Sequence, residues 1–504
     1  MPVARLNDTE LFYVEVGEGT PCLVIHGGLW LDSFGPNPTA NPVGAEEGGP
    51  AVSLRGSRRL VPLRYTLRLT TPRLLVGGFA AVMALGTLLL KLPASTQDGI
   101  SWIDAFFVSV SAVSVTGLST VDFPATFTAF GLVLVMALVQ VGGLGIMTLA
   151  TLGALIIGNR VGFRSILSLR EELGTIDSPR NTLRLVGQIA AFTLLLELAG
   201  AVLLSVGFLR RGLGIGEGIF QGVFHTIMAF CNAGFTALPN GDLVPYAGDP
   251  LVVVTLSALI ILGGLGFPVM VNLYRYRSMR RLTLHSKLVL ITTAVLLAMG
   301  IASVAALEWT NPSTLGGSPI GTRSLMALFQ GVTPRTAGFS TVDYASMREP
   351  TLLLQTGLMF IGTAPTSTGG GVRITTLALV FLLILSQVRG GGQVKAFGRT
   401  LPQALIAKAF VVLSLSALLV IVGTLTLMVS DGLSLLPAMF EITSAFGTTG
   451  LSLGVTPELS PFGKVLVAAI MFLGRVGPIT ILVALAARQR PPLYKLPEEG
   501  IAIG

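Results

Sequence analysis

Cysteine, histidine and charge are all scarce in this chain. Cys22 and Cys231 are its only cysteines, so there is no disulfide framework and no thiolate spacing for a metal. His26, His225 and His285 lie far apart, which removes a histidine-built zinc or haem site. Only 12% of the 504 residues are charged, against about 25% in soluble domains. The first 70 residues lack a basic start followed by an apolar core, so no secretory leader is read there. The glycine runs are never followed by the Lys-Ser/Thr of a phosphate loop, which leaves no nucleotide site on this polypeptide.

What the chain has instead is apolar length. Apolar residues make up 52% of it and its mean hydropathy is +0.78. Stretches of about 20 residues, enough to cross a hydrocarbon core of about 30 Å, recur in pairs. They are read at 74–93 and 127–157, 184–208 and 251–273, 287–307 and 352–388, and 404–429 and 464–487. Between the members of each pair lies a shorter apolar stretch: Trp102 to Val113, Gly218 to Phe230, Ser324 to Gly331, and Leu435 to Phe446. Such lengths suit re-entrant half-helices, which exist at membrane depth only where protein or water surrounds them. The expected fold is therefore all-α and integral to a membrane. Eight transmembrane helices form four tandem helix–pore-loop–helix repeats, at 71–160, 183–276, 284–389 and 404–490, around a pseudo-fourfold pore.

The net charge of +8 is explained by basic loops on one side rather than by nucleic acid. Arg160, Arg164 and Arg170, then Arg275, Arg280, Arg281 and Lys287, then Arg389, Lys395 and Arg399, and finally Arg488, Arg490 and Lys495 separate or follow the repeats. The half-helix side holds Asp98, Asp104, Asp122, Asp242 and Asp249. The positive-inside bias puts both termini and the 491–504 tail in the cytoplasm. The basic loops suit either lipid headgroups or a regulatory partner.

After each half-helix comes one pattern: small residue, glycine, large apolar residue, Ser/Thr. It reads Val115-Thr116-Gly117-Leu118-Ser119-Thr120, Asn232-Ala233-Gly234-Phe235-Thr236-Ala237, Thr336-Ala337-Gly338-Phe339-Ser340-Thr341 and Thr448-Thr449-Gly450-Leu451-Ser452-Leu453. The glycines are 117, 104 and 112 residues apart, a repeat period that precedes any motif reading. Two spans separate successive glycines, so all four emerge on one side and can surround one axis. Backbone carbonyls ligate a dehydrated monovalent cation without formal charge, and glycine permits the backbone angles that turn them inward. Half-helix C-termini aimed at the axis favour cations. Helix capping is the alternative reading for each glycine taken singly.

These four single-glycine filters resemble those of the Trk/Ktr/HKT superfamily of potassium transporters, and eight spans resemble the Ktr-type membrane subunit. The resemblance covers about residues 70–490. It implies potassium uptake, a homodimer with one pore per subunit, a separate cytoplasmic nucleotide-binding regulatory ring, a lipid environment and sodium as an activator. It implies no covalent cofactor, no enzyme activity and no nucleic acid. In related plant transporters serine at the first filter glycine goes with sodium; Gly117 here favours potassium. A sodium-permeable or sodium-coupled symporter of the same fold is the alternative.

Each second helix carries a glycine cluster: Gly142-Gly143-Leu144-Gly145, Gly263-Gly264-Leu265-Gly266, and Gly474-Arg475-Val476-Gly477. Close helix packing is their expected role. The third repeat reads Gly362-Thr363-Ala364-Pro365-Thr366-Ser367-Thr368-Gly369-Gly370-Gly371, which cannot hold a regular helix. The resemblance matches Thr363, Pro365, Thr368, Gly369, Gly370 and Gly371 to an intramembrane gate, with Arg475 as an electrostatic barrier beside it. Arg373 is expected to snorkel, and Glu197 to make a structural hydrogen bond.

Residues 1–36 stand apart. Two short strands and Val24-Ile25-His26-Gly27-Gly28 look like the opening of an α/β-hydrolase. About 35 residues cannot build that core, and no histidine follows the one Gly-x-Ser-x-Gly, Gly450 to Gly454. A truncated or fused remnant, or a misplaced start, is expected, followed by a disordered linker over 37–70. An inverted-repeat transporter is disfavoured because each repeat has two spans.

Overall fold

A computed structural model describes residues 3–6, 9–12, 71–145, 179–238, 242–390 and 393–477. The expected remnant beyond residue 12, the linker, the basic segment with Arg160, Arg164 and Arg170, and the basic tail lie outside the described residues. The chain divides into two units, 1–67 and 68–504. In the first, β1 (Val3–Leu6) pairs antiparallel with β2 (Thr9–Phe12), with Leu6 opposite Thr9.

The second unit is helical. The first repeat holds α1 (Thr71–Leu90), α2 (Trp102–Ser114) and α3 (Ala129–Leu144). The second holds α4 (Pro179–Arg210), α5 (Ile215–Cys231), α6 (Pro250–Gly264) and α7 (Phe267–Met279). The third holds α8 (Leu284–Glu308), α9 (Ile320–Val332), α10 (Glu349–Phe360) and α11 (Ile374–Val388). The small hairpin β3 (Lys395–Ala396) and β4 (Arg399–Thr400) leads to the fourth repeat. That repeat holds α12 (Gln403–Asp431), α13 (Leu435–Gly447) and α14 (Pro461–Val476).

Local chemistry sets the helix starts. The Thr128 side chain accepts from Gly131 N–H, Asp249 from Leu251 and Val252, Thr283 from Ser286, and Ser460 from Gly463, each occupying an orphan donor of the first turn. Pro250 and Pro461 open α6 and α14, where a missing N–H is harmless.

The half-helices α2, α5, α9 and α13 form the middle of the unit. Phe107, Phe224, Phe230, Phe329, Phe440 and Phe446 on them are fully buried. The first helices of the repeats lie outside and turn leucine and valine outward, as with Leu194 and Leu198 on α4 and Val429 on α12, which is 88% exposed. Apolar faces of that extent are stable against a bilayer, not water. Three described helices are long and apolar enough to cross it: Val186–Arg210, Leu284–Glu308 and Gln403–Asp431.

The second helices depart from the sequence reading. Spans were expected over 127–157, 251–273, 352–388 and 464–487, the third already interrupted over 362–371; the described helices end or break inside each. In repeats one, two and four the break is a glycine in the same conformation: Gly145 (φ 84°, ψ 137°), Gly266 (φ 84°, ψ 140°) and Gly477 (φ 90°, ψ 134°). At Gly266 the chain bends by 101°. Such angles are open to glycine and strained for other residues. Three residues earlier, Gly142, Gly263 and Gly474 sit where a Cβ would come nearer than 3.0 Å to the last half-helix carbonyls of Val113, Phe230 and Phe446. The clusters thus serve close packing, as expected, and also terminate the helix.

Candidate functional site

In repeats one, two and four each half-helix closes identically. The residue beyond it is left-handed: Val115 (φ 60°), Asn232 (φ 62°) and Thr448 (φ 51°). The N–H of each donates back to Ala112, Ala229 and Ala445 at 3.1, 3.2 and 3.1 Å. The next N–H, of Thr116, Ala233 and Thr449, donates to Ser111, Met228 and Ser444, in each case at 2.8 Å. This paired closure satisfies the helix end. The cap is therefore two residues before each glycine, and capping does not account for Gly117, Gly234 or Gly450. In repeat three α9 stops at Val332, a turn follows, and Thr336 takes the left-handed place (φ 65°).

The glycines form a closed ring. All four have positive φ: 94° at Gly117, 62° at Gly234, 80° at Gly338 and 93° at Gly450. A Cβ on Gly117 would strike the Ala233 carbonyl oxygen. One on Gly234 would lie 2.7 Å from the Ala337 oxygen; one on Gly338 would strike Thr449 O, and one on Gly450 would strike Thr116 O. The order runs from repeat one through four and back to one, so the four segments enclose a single axis. Left-handed residues on either side of Thr116, Ala233, Ala337 and Thr449 turn the chain at every other residue. Holding Val115, Thr336 and Thr448 there costs about 1–2 kcal/mol each, since β-branched residues clash in this region.

The next residues anchor the ring. Leu118, Phe235, Phe339 and Leu451 are buried, while the glycines and Ser119, Thr236, Ser340 and Ser452 remain partly accessible. That is the alternation of an extended chain. Behind the ring, Ser111 Oγ accepts from Gly117 N–H and Ser444 Oγ from Gly450 N–H, both at 3.1 Å. Gln221 donates to Ala237 O, and Gln330 to Thr341 Oγ1. The wholly buried Glu441 accepts from Ser452 Oγ at 2.8 Å and Thr456 Oγ1 at 2.5 Å.

The third repeat's break lies directly against this ring. Its neck is a parallel bridge between Ile361 and Val372. Aligned with the other three clusters, Gly362-Thr363-Ala364-Pro365 has proline where they have a left-handed glycine. Proline's φ is fixed near −65°, so the chain cannot make that step and runs out as a loop. Ala364 N–H donates to Gly264 O at 3.1 Å, and Gly371 N–H to Gly474 O at 3.3 Å. Thr363 Oγ1 and Ser367 Oγ share a hydrogen bond. Two bonds reach filter residues: Thr368 Oγ1 donates to Asn232 Oδ1 at 3.3 Å, and Gly370 N–H donates to Thr448 Oγ1 at 2.8 Å. Gly369 lies where a Cβ would strike Thr336 Oγ1.

Three arginines hold the loop carbonyls. Arg475 donates to Thr368 O, to Gly369 O at 3.2 Å, to Gly142 O and to Gly143 O at 3.4 Å, clamping the loop to the end of α3. Arg373 donates to Gly369 O at 2.5 Å and Ala364 O at 3.5 Å. It points into the loop instead of snorkelling, because these carbonyls lack helical partners. Arg335 donates to Gly362 O at 3.4 Å. Sequence reasoning missed Arg335; a charge next to a filter segment, inside an otherwise apolar stretch, was the available signal. Asn232 was named only as a filter residue, yet its Nδ2 also donates to Arg335 O and to Thr336 Oγ1. Glu197 accepts both its bonds from Gln140 of α3, as expected of a structural acid.

A family model described as TrkH, cation transport protein, matches residues 65–491. The chain belongs to this family. Ktr system potassium uptake protein B of Bacillus subtilis is 38% identical over 424 residues, 84% of this chain and 95% of the relative. The potassium/sodium uptake protein NtpJ of Enterococcus hirae is 36% identical over 449 residues, 88% and 99% of the two chains. The solved potassium transporter TrkH from Vibrio parahaemolyticus matches with a TM-score of 0.64 at 20% identity, over 84% of this chain and 86% of that one. This is a likeness of fold. Membership in TrkH places the chain among membrane cation transporters and outside the enzymes.

Proposed function

We propose that this TrkH-family chain takes up potassium through the ring at Gly117, Gly234, Gly338 and Gly450, with the 362–371 loop and Arg475 as its gate. The observation that carries the reading is the closed cycle of carbonyls from Thr116, Ala233, Ala337 and Thr449, each packed against the preceding repeat's glycine. Uncharged oxygens in a tight ring replace the hydration shell of a monovalent cation. The name of the Bacillus relative agrees with potassium. The name of the Enterococcus relative also admits sodium, so sodium permeation or activation is the second reading; glycine at position 117 favours potassium.

The loop blocks the way beyond the ring. Opening requires Arg475 to release Thr368 and Gly369, and the loop's own bonds to Asn232 and Thr448 to break. Arg475 also adds a positive charge on the cation's path, a barrier in a low-dielectric surrounding. The working assembly is a homodimer in the cell membrane, termini cytoplasmic, controlled by a separate nucleotide-binding subunit. Potassium is cargo, and no resident cofactor is required.

The test is growth of bacteria lacking their own potassium uptake systems on limiting potassium. The wild-type gene restores growth, and a Gly338→Ala variant present at equal level in the membrane does not. Restoration by both would remove the ring from the mechanism.

A further inference from the structure

Four cations gather at the corner between α7 and α8. Arg280 and Arg281 follow α7, Lys287 lies in the first turn of α8, and Arg399 lies on β4. With Tyr276 and Phe397 they line a cleft of about 620 Å³. The corner is pinned: Thr283 N–H donates to Asn272 Oδ1 of α7, and Thr283 Oγ1 caps α8. Lys287 Nζ stands 5.6 Å from the centre of the Phe397 ring. Arg280, Arg281 and Arg399 point to solvent.

The cleft sits at a definite depth. α8 is a 25-residue apolar span, about 37 Å long at 1.5 Å per residue, and the cleft lies at its start while the third half-helix follows its end. Tyr274, Tyr276 and Phe397 are exposed beside it. Aromatic rings and arginines together mark the headgroup level of a bilayer. Anionic lipid at that level attracts each nearby cation by about 1 kcal/mol.

Both walls of the cleft hang from the loop. α7 begins where Phe267 N–H donates to Thr366 O at 3.2 Å, and it ends at Arg280. α11 begins where Ile374 N–H donates to Thr363 O at 3.2 Å, and it leads into the hairpin carrying Phe397 and Arg399. The hairpin is tied to α11, since Ser386 Oγ donates to Gln393 O at 3.1 Å.

We propose that this cleft binds the phosphate headgroup of an anionic membrane lipid, which bridges α7 and the hairpin and so sets how readily the loop opens. The binding half stands on the cleft alone. The effect on flux rests on the potassium-uptake reading above.

The test uses the purified full-length protein and its Arg281→Gln/Arg399→Gln double variant, with two measurements. The first is phosphatidylglycerol retained through detergent purification, counted by native mass spectrometry. Removing two of the four cations should lower retention by about tenfold or more. The second is rubidium flux in vesicles of phosphatidylcholine with and without phosphatidylglycerol. Wild-type flux should change severalfold with phosphatidylglycerol, and the variant's should not, while both match in neutral vesicles. Equal retention by the two proteins would overturn the site. So would an equal response in neutral vesicles to free glycerol phosphate, which would make the ligand a soluble anion. Altered retention with lipid-independent flux would overturn the link to the loop and leave the site. Absence of rubidium flux in every vesicle would instead count against the uptake reading.

Discussion

Repeats one, two and four reach the same step and break it in the same way, while repeat three does not. In the three, a second-helix glycine packs on a half-helix carbonyl, and three residues later the chain turns on a left-handed glycine. In the third that position is Pro365, and the thirteen residues 361–373 lie outside the helix. In repeat two the helix resumes at Phe267 directly after the glycine; with the stiffest backbone in that place, the third repeat runs out as a loop. As the proposed filter, the ring would need near-fourfold symmetry, so that four equivalent carbonyls could face one ion. The proposed gate would use the asymmetry of the layer below, because a gate needs one movable part. The TrkH family member described here thus combines a rigid ring, tied by strained caps and buried anchors, with a loop held mainly by hydrogen bonds to arginine.

The comparison can be broken most severely at the ring. Gly450→Ala places a methyl group on the Thr116 carbonyl oxygen and should abolish potassium uptake. Gly187→Ala, where nothing lies within 4 Å, should leave uptake unchanged. Equal effects of the two, measured as uptake per molecule in the membrane, would show that the ring has no special status.

Next comes the loop. Deleting Thr368 to Gly371 removes both bonds to the filter and two carbonyls that Arg475 holds. Flux should rise by about tenfold, the equivalent of ~1.4 kcal/mol of closed-state preference. Arg475→Ala should act in the same direction and flatten rectification. Arg475→Lys should resemble alanine, since a single ammonium cannot span two carbonyl pairs. Unchanged or lower flux in these variants, at normal expression, would mean the loop is not a gate.

A smaller effect is expected behind the fourth filter segment. Glu441→Leu leaves the Ser452 and Thr456 hydroxyls without their acceptor and should cost about 1–3 kcal/mol of stability. Glu441→Gln keeps an acceptor and should recover most of it. Thermal unfolding in detergent separates the two.

The smallest effect lies at the seam between repeats four and one. Lys464 Nζ meets Asp104 Oδ1 at 2.8 Å, whereas Phe123 stacks on Phe235 across the seam between repeats one and two. Burial pushes the Asp104 carboxyl up, but hydrogen bonds from Lys464, Ser101 and Thr120, with the charge of Lys464, hold it below the ordinary carboxylate range. A lowered folded pKa stabilises above the unfolded value, about 3.9. That contribution is lost as pH falls through the folded value. Wild type and Asp104→Asn should differ by about 1 kcal/mol or less at neutral pH and converge once pH falls below the lowered folded value. A difference that persists in acid would show that the pair acts through packing.

The ring was legible in the sequence because its requirements are local. A small residue, glycine, a buried Leu or Phe and a hydroxyl recur at one spacing, each after an apolar stretch too short to span. The third repeat's irregularity was legible too, since proline and three glycines cannot be helical. The breaks at Gly145, Gly266 and Gly477 were not. Pro268 and Pro478 follow Gly266 and Gly477 and are stop signals in the sequence, but apolar residues flank Gly145, and each glycine cluster within its apolar run reads as a packing site. At Gly145 the positive φ, three residues after Gly142 packs on the half-helix end, is what reveals the break. Arg335 and Arg373 escaped for a related reason. Their value lies in carbonyls left free by another segment's break, a contact between distant parts of the chain that no spacing encodes.

Selectivity tests the carbonyl ring most directly. The purified protein in liposomes, given equal inward gradients of potassium, rubidium or sodium, should pass potassium and rubidium at similar rates and sodium far more slowly. Strong sodium preference with Gly117 intact would contradict a potassium ring.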